Sequence, residues 1–241
     1  MKKFVFILVL LANIAYLTAQ DSSQVYHGMT ENVINGSGIM TFKEFEVATF
    51  QKIVLEGRIY RVFISQSEQT SVVVKTDNDL INFVEISVSN GELKADIKAN
   101  NYKDPEVYLY ITMPELTEIR SGLASHITFE TPMNIEGNMS IYGKGATSLY
   151  GRTISASHMF IELHGASQGN LSLDVQSVDI EVLGTGNIKL TGWAENQNVR
   201  ALGVSKVNLF SLKGKKNRIE HSTPQSRVSY LGFANEKINH R

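Results

Sequence analysis

Gly184-Thr185-Gly186-Asn187-Ile188-Lys189-Leu190 is one version of a phrase that returns about six times between Ser121 and Gly232. The others open at Gly122, Gly143, Gly165, Gly203 and, in degenerate form, Ser222. These starts are separated by 21, 22, 19, 19 and 19 residues. A repeat of about 20 residues is the mark of a solenoid. In each repeat a turn of small residues precedes alternating apolar and polar residues, as in Ile188-Lys189-Leu190 and Leu171-Ser172-Leu173. That alternation puts the apolar side chains on one face of a strand. A second apolar set precedes each glycine: Met139 and Ile141, then Met159, Ile161 and Leu163, then Val178, Ile180 and Val182. One repeat therefore reads as strand, tight turn, strand and second corner.

The corner glycines are Gly122, Gly143, Gly145, Gly165, Gly184, Gly186 and Gly203. Glycine accepts positive φ and lets neighbouring coils approach closely. A single coil cannot bury its apolar face, whereas stacked coils can. A β-sandwich with regular turns is the competing reading. Recurrence of the phrase itself, beyond its spacing, favours the solenoid. The fold class expected is all-β, a parallel β-helix or β-solenoid with irregular N-terminal strands and a hairpin.

The chain has 241 residues and no Cys. It is long enough to bury a sizeable core. The lack of Cys excludes disulfide stapling, thiol catalysis and thiolate metal sites. Residues 1–19 read as a signal peptide: Lys2 and Lys3, the apolar run Phe4 to Leu11, then Leu17-Thr18-Ala19 before Gln20. The run is short for a transmembrane anchor, so no membrane span is expected after cleavage; an uncleaved anchor is the alternative. Cleavage removes two lysines and leaves 21 basic against 24 acidic residues, a net charge of −3. No broad basic field results, so nucleic acid is not an expected partner.

Residues 20–35 are polar and patternless and read as a flexible lead-in; residues 36–234 read as one domain, with coils over about 119–232. A polar tail, 235–241, follows. Between Phe45 and Met113 the chain reads as a series of strands. In Ile59 to Ser65, Tyr60, Val62 and Ile64 form the expected core face. Asn90-Gly91 between Ile86/Val88 and Leu93/Ala95/Ile97 is a hairpin signal. Val107, Leu109 and Ile111 form one face of the next strand and Tyr108 and Tyr110 the other, and Pro114 ends it.

Several of these segments resemble, in order, those of exported proteins known mostly from the Bacteroidetes, the head GIN domain family of putative auto-transporter adhesins. Phe50-Gln51-Lys52-Ile53-Val54-Leu55-Glu56-Gly57 is similar to its opening strand, and Val62-Phe63-Ile64-Ser65-Gln66 to its second. Asn90-Gly91-Glu92-Leu93 resembles its hairpin, and Ile111-Thr112-Met113-Pro114-Glu115-Leu116 its Ile-Thr-x-Pro-x-Leu segment. The Gly-x-Gly phrases and Tyr230-Leu231-Gly232 follow, so the resemblance spans about Gly36 to Gly232. Only Gly143/Gly145 and Gly184/Gly186 keep a clear Gly-x-Gly phrase. The resemblance implies a right-handed β-helix, similar in shape to pectin lyases without a preserved catalytic set, and a role in adhesion.

Two function classes compete. A non-catalytic binding module needs only a surface: Tyr108, Tyr110 and Trp193 are its candidate contacts, with a surface glycan or a protein as partner. Self-association through sheet faces or an imperfect cap fits the same surface. A small carbohydrate-active β-helix enzyme is the alternative. A hydrolase needs two carboxylates across a cleft, and a lyase needs a base with carboxylates that hold calcium. Asp179 and Glu181 share one strand face, as do Glu162 and His164. No carboxylate recurs at one place in every repeat, so a solvent-facing role accounts for them and no catalytic residue is assigned. Gly184-Thr185-Gly186-Asn187-Ile188 lacks the Asp of calcium-binding solenoids. His126, His164 and His221 lie near corners in different coils and show no metal spacing. No cofactor or metal is expected.

Overall fold

In the computed structural model, residues 36–56, 61–98, 102–103, 105–221, 223–230 and 236–239 are described. The signal-peptide, lead-in and Tyr60 expectations lie outside them. Gly36–Ala99 together with Asp104–Arg241 form one compact unit. Of the other unit, Met1–Asn35 with Asn100–Lys103, only Tyr102 and Lys103 are described.

The strands in chain order are β1 (Met40–Phe45), β2 (Lys52–Leu55), β3 (Arg61–Gln66), β4 (Ser71–Asp77), β5 (Val84–Ser89), β6 (Glu92–Ile97), β7 (Val107–Met113), β8 (Glu118–Ser121) and β9 (His126–Phe129). Then come β10 (Met133–Asn134), β11 (Asn138–Gly143), β12 (Ser148–Gly165), β13 (Gln168–Gly184), β14 (Asn187–Gly203), β15 (Lys206–Lys213), β16 (Lys216–His221), β17 (Arg227–Tyr230) and β18 (Glu236–Asn239). One 3-10 turn, Ile81–Phe83, follows the turn after β4.

The strands stack into two main sheets, a parallel β-solenoid, with a short third parallel strip between them in which β10 pairs with Ile154 and Ser155 of β12. Sheet A runs β1, β4, β7, β3, β9, then the first halves of β12, β13 and β14, then β15 and β17. Sheet B runs β5, β6, β2, β8, β11, the second halves of β12, β13 and β14, then β16 and β18. All neighbours are parallel except β1/β4, β4/β7 and β5/β6.

The core is built by one residue per coil at the same height. In sheet B, Leu93, Ile53, Ile119, Ile141, Ile161, Ile180, Val199 and Ile219 pair in succession. In sheet A, Val74, Leu109, Val62, Ile127, Leu149, Gly169, Ile188 and Val207 do the same. Apart from Gly169 these side chains are buried. The alternation in the sequence thus sets the inward face of every coil.

Spatial order departs from chain order at one place. The β6/β7 layer lies outside the β2/β3 layer, and β8/β9 stacks on the other side of β2/β3. The chain passes back through Pro114 to Thr117, whose N–H donates to the Gln51 carbonyl at 2.8 Å. The N-terminal strands are therefore layers of the solenoid itself. Antiparallel β4, β1 and β5 close that end, which ends the parallel stack with strands that cannot extend it. Exposed Lys43 and Glu44 on the edge strand β1 oppose further pairing. Asp77 anchors the start of β1: its carboxylate accepts from the Ser37 hydroxyl (2.6 Å) and the Ser37 and Gly38 N–H groups (3.1 and 2.8 Å).

Asn90-Gly91 makes the β5/β6 hairpin with both residues at positive φ, 52° and 72°, as a type I′ turn requires. At the first corner the stacked glycines are Gly145, Gly165, Gly184 and Gly203. A Cβ on Gly184 would lie 2.8 Å from the Gly165 carbonyl oxygen, and one on Gly203 2.7 Å from that of Gly184. All four have positive φ. Gly143 instead pairs with Leu163, so the corner repeat aligns Gly145, not Gly143, with Gly165. Gly122, Gly143 and Gly186 have ordinary φ. Side chains crowd Gly143 and Gly186, whereas the nearest atom to a Cβ on Gly122 is 3.8 Å away. The second corner is a bend inside a continuous strand, at Gly151 (φ 142°) in β12 and Gly192 (φ 99°) in β14.

A small hydroxyl residue closes the first corner from inside. Ser125, Thr147, Ser167, Ser205 and Ser226 are all buried, and Gly186 takes the place in one coil. The N–H of the next coil's following residue donates to the carbonyl at each step: Ser148 to Ser125, Gln168 to Thr147, Asn187 to Ser167, Lys206 to Gly186 and Arg227 to Ser205. The hydroxyls of Thr147, Ser167 and Ser226 donate back three residues, to the carbonyls of Lys144, His164 and Thr223. These bonds add a side-chain donor to the corner carbonyls, and the Thr223 carbonyl accepts from the Ser226 N–H as well, at 3.2 Å.

Candidate binding face

The outward positions of sheet A fall in two rows across nine strands. The first is Lys75, Tyr108, Arg61, His126, Ser148, Gln168, Asn187, Lys206 and Arg227. The second is Val73, Tyr110, Phe63, Thr128, Tyr150, Asn170, Lys189, Asn208 and Ser229. Strand alternation places every one of them opposite a buried residue. Over these nine strands neither row holds an Asp or Glu; on the tenth, edge strand β1, Phe42 and Glu44 continue the rows beside Lys75 and Val73.

Aromatic side chains concentrate at the β7, β3, β9 and β12 end. Phe63 and Tyr110 lie nearly parallel, 5.1 Å between centroids and 14° between planes. His126 and Tyr150 stack at 5.1 Å and 25°. The Arg61 guanidinium lies 5.3 Å from the Tyr108 centroid, and Lys75 Nζ 5.3 Å from the same ring and 5.4 Å from Phe42. These are cation–π distances. The Tyr108 hydroxyl donates to the Glu106 carboxylate at 3.1 Å. That hydrogen bond, with desolvation and the carboxylate's charge behind it, raises the phenol above its ordinary value. A groove of about 630 Å³ runs here between Arg61, Phe63, Tyr108, His126 and Thr128, with Glu106 at one side.

Trp193 stands elsewhere. It follows the bend at Gly192, is 39% exposed, and pairs with Asp174 and Lys213 on the neighbouring coils. Five strand steps separate its strand from β7, about 24 Å at the usual spacing. Tyr108 and Tyr110 therefore share a site that Trp193 does not join.

Sheet B carries a different surface. Four of its cations pair with carboxylates: Lys52 with Glu118, Arg120 with Glu118 and Glu92, Lys94 with Glu92, and Arg200 with Glu181 and Glu220. Glu162 pairs with His164 at 2.8 Å. Asp179 accepts from Asn198 at 2.6 Å and lies 3.0 Å from His158 Nε2. His158 Nδ1 meets the Ser177 hydroxyl. No local motif joins His158, Ser177 and Asn198, whereas the 19-residue step brings them together: 158 to 177, 160 to 179 to 198, and 162 to 181 to 200. One aromatic pair, Tyr142 and Phe160, lies on this sheet at 5.5 Å and a tilted 48°.

His126 lies on sheet A and His164 on sheet B, so they do not stack on one edge; the His221 side chain lies outside the described residues. Among the described residues no group of three His, Asp or Glu is placed to hold a metal. No helix among them is long and apolar enough to cross a membrane.

The fold is shared with solved structures from Parabacteroides and Bacteroides. A "putative lipid binding protein" from Parabacteroides distasonis superposes with a TM-score of 0.68 at 16% identity, covering 86% of this chain and 99% of that one. A "putative adhesin" from Bacteroides fragilis gives 0.65 at 16% identity, covering 86% and 100%. A second "putative adhesin" from P. distasonis gives 0.62 at 17% identity, covering 86% and 98%. At these identities the likeness establishes the fold alone. No curated protein matches this chain. Residues 49–227 match the family described as "putative auto-transporter adhesin, head GIN domain", and over that span the chain belongs to it.

Proposed function

We propose that the protein is a non-catalytic binding module of the cell envelope, with sheet A as its contact face and a surface glycan as its ligand. The observation that carries this reading is the Phe63–Tyr110 pair, stacked nearly parallel and half-buried on the sheet beside Tyr108 and Arg61. Rings fixed in this way offer apolar area at little entropic cost, and the groove beside them adds hydrogen-bonding groups. A sugar's C–H face fits the rings and its hydroxyls fit the rim. Family membership supports a surface-interaction role, and a leader at residues 1–19 fits export. Tyr108 and Tyr110 are the contacts retained from the sequence. Trp193 forms no part of this patch.

The enzyme reading finds less support. Asp179, Glu181 and Glu162 lie on one sheet face and are each engaged by a neighbouring side chain, rather than set opposite one another across a cleft as a hydrolase requires. The Ser177–His158–Asp179 contact set has the residue types of a hydrolase. The set lies in the parallel ladder between β12, β13 and β14, whose backbone N–H groups run along the sheet to neighbouring strands rather than converging on an oxyanion.

The test is a glycan array combined with a polysaccharide-depolymerisation screen on the purified chain. Binding without product formation, weakened by Tyr110→Ala, is the expected result. Product formation abolished by Asp179→Asn or Ser177→Ala overturns the reading.

A further inference from the structure

We propose that sheet A takes an acidic polysaccharide, a polyuronate or sulfated chain, laid across its strands; this rests on sheet A being the binding face. The charge distribution carries the inference. Lys75, Arg61, Lys189, Lys206 and Arg227 stand in the two outward rows, and from β4 to β17 no carboxylate stands in those rows with them; Glu44 continues the second row only on the edge strand β1. None of the five forms an ion pair among the described residues, whereas Lys52, Lys94, Arg120 and Arg200 on sheet B do; on that sheet Lys216 and Arg218 form none among them either but share their face with Glu220. The whole chain carries a net charge of −1, so this asymmetry is not general basicity. The acidic residues of sheet A, Glu44 and Asp77 with Glu106 just before β7, are confined to the β1, β4 and β7 end, and the strands beyond carry no carboxylate in these rows, while carboxylates run the length of the other sheet. Unpaired cations on one flat face attract an anionic ligand and favour no neutral one.

The cations also stand in a pattern. Lys75 and Arg61 mark one end, beside the aromatic patch. Lys189, Lys206 and Arg227 mark the other, on adjacent strands. Eight strand steps, about 38 Å, separate β4 from β17. The stretch between holds the amides Gln168, Asn170 and Asn187, donors and acceptors suited to hydroxyls. A polymer reaches both cationic ends at once, whereas a short oligomer reaches one. Joining two weak contacts in one chain strengthens binding well beyond either alone.

Affinity electrophoresis of the whole chain separates the outcomes, with long-chain polygalacturonate, a galacturonate trimer as competitor, neutral dextran and single-stranded DNA as probes. Polygalacturonate retards the protein, added salt abolishes the effect, and the trimer competes poorly. Combining Lys189→Glu, Lys206→Glu and Arg227→Glu weakens retardation roughly tenfold or more. Arg218→Glu on sheet B leaves it unchanged. Equal retardation by dextran, or an unaffected triple variant, overturns the inference. Retardation by DNA as strong as by polygalacturonate overturns it in favour of a general polyanion site. Dextran binding that Phe63→Ala removes would discard the acidic ligand and keep the binding face. Failure of every glycan would discard both.

Discussion

Phe63 and Tyr110 lie on neighbouring parallel strands, β3 and β7, and their rings stack at 5.1 Å. The pair exists because the β6/β7 layer folds back outside β2/β3; a solenoid stacked in simple chain order would separate them. Both rings face outward while their strand neighbours Val62, Ile64, Leu109 and Ile111 fill the core. Tyr110→Ala should therefore cost only about 0.5–1.5 kcal/mol of stability from the lost ring pair, while glycan binding falls severely. Chemical denaturation and a binding isotherm on the same variant separate the two effects. A variant that unfolds without weakening its ligand would assign the pair to stability.

The ladder of buried isoleucines in sheet B predicts the opposite behaviour. Ile161 is fully buried between Ile141 and Ile180. Ile161→Ala should cost about 2–5 kcal/mol in urea unfolding and leave the affinity of the folded protein unchanged.

Gly184 and Gly122 are both corner glycines of the repeated phrase, yet they answer to different constraints. Gly184 has φ 108° and faces the Gly165 carbonyl. Gly184→Ala should cost about 1–3 kcal/mol from backbone strain, with close contact added to it. Gly122→Ala, with open space and ordinary φ, should lie within about 0.5 kcal/mol of the parent. Equal thermal shifts for both would show that the glycine stack carries no strain.

The hydroxyl of buried Ser167 donates to the His164 carbonyl at 2.9 Å. Ser167→Ala leaves that carbonyl without this partner and should cost about 1–3 kcal/mol. The Ser205 hydroxyl makes no such bond among the described residues. Ser205→Ala should therefore cost less, and denaturant midpoints of the two variants give the comparison.

The Ser37 hydroxyl, then the N–H groups of Gly38, Asp79 and Ser37, lower the Asp77 pKa from its usual 3.8 against some desolvation. A depressed folded value means the unfolded chain binds the proton more readily. The stabilisation is present above the unfolded value and is lost as pH falls through the folded one. Asp77→Asn should lower the thermal midpoint near neutrality, and its deficit should vanish in strong acid. A deficit constant with pH would remove the charge from the account.

The coil repeat and its inward faces were legible because alternation and the glycine phrase are local signals. Val62, Ile64, Leu109 and Ile180 are buried where the period of two places them. Corner alignment was harder to read, because Gly143-Lys144-Gly145 and Gly184-Thr185-Gly186 look alike and yet stack through Gly145 and Gly184. The reversal that brings Tyr110 beside Phe63 had no local signal, since it depends on which layer β8 chooses to continue. Tyr108 and Tyr110 could be picked as outward aromatics on one strand. Phe63, Arg61 and His126 join them only once strand order is known. The same holds for the charge difference between sheets A and B.

The most direct test of sheet A as the binding face compares two aromatic pairs in one glycan-binding experiment. One variant carries Phe63→Ala and Tyr110→Ala on sheet A; the other carries Tyr142→Ala and Phe160→Ala on sheet B. Loss of binding in the first and retention in the second is the predicted result. Retention in the first with loss in the second would place the contact face on sheet B and contradict the account.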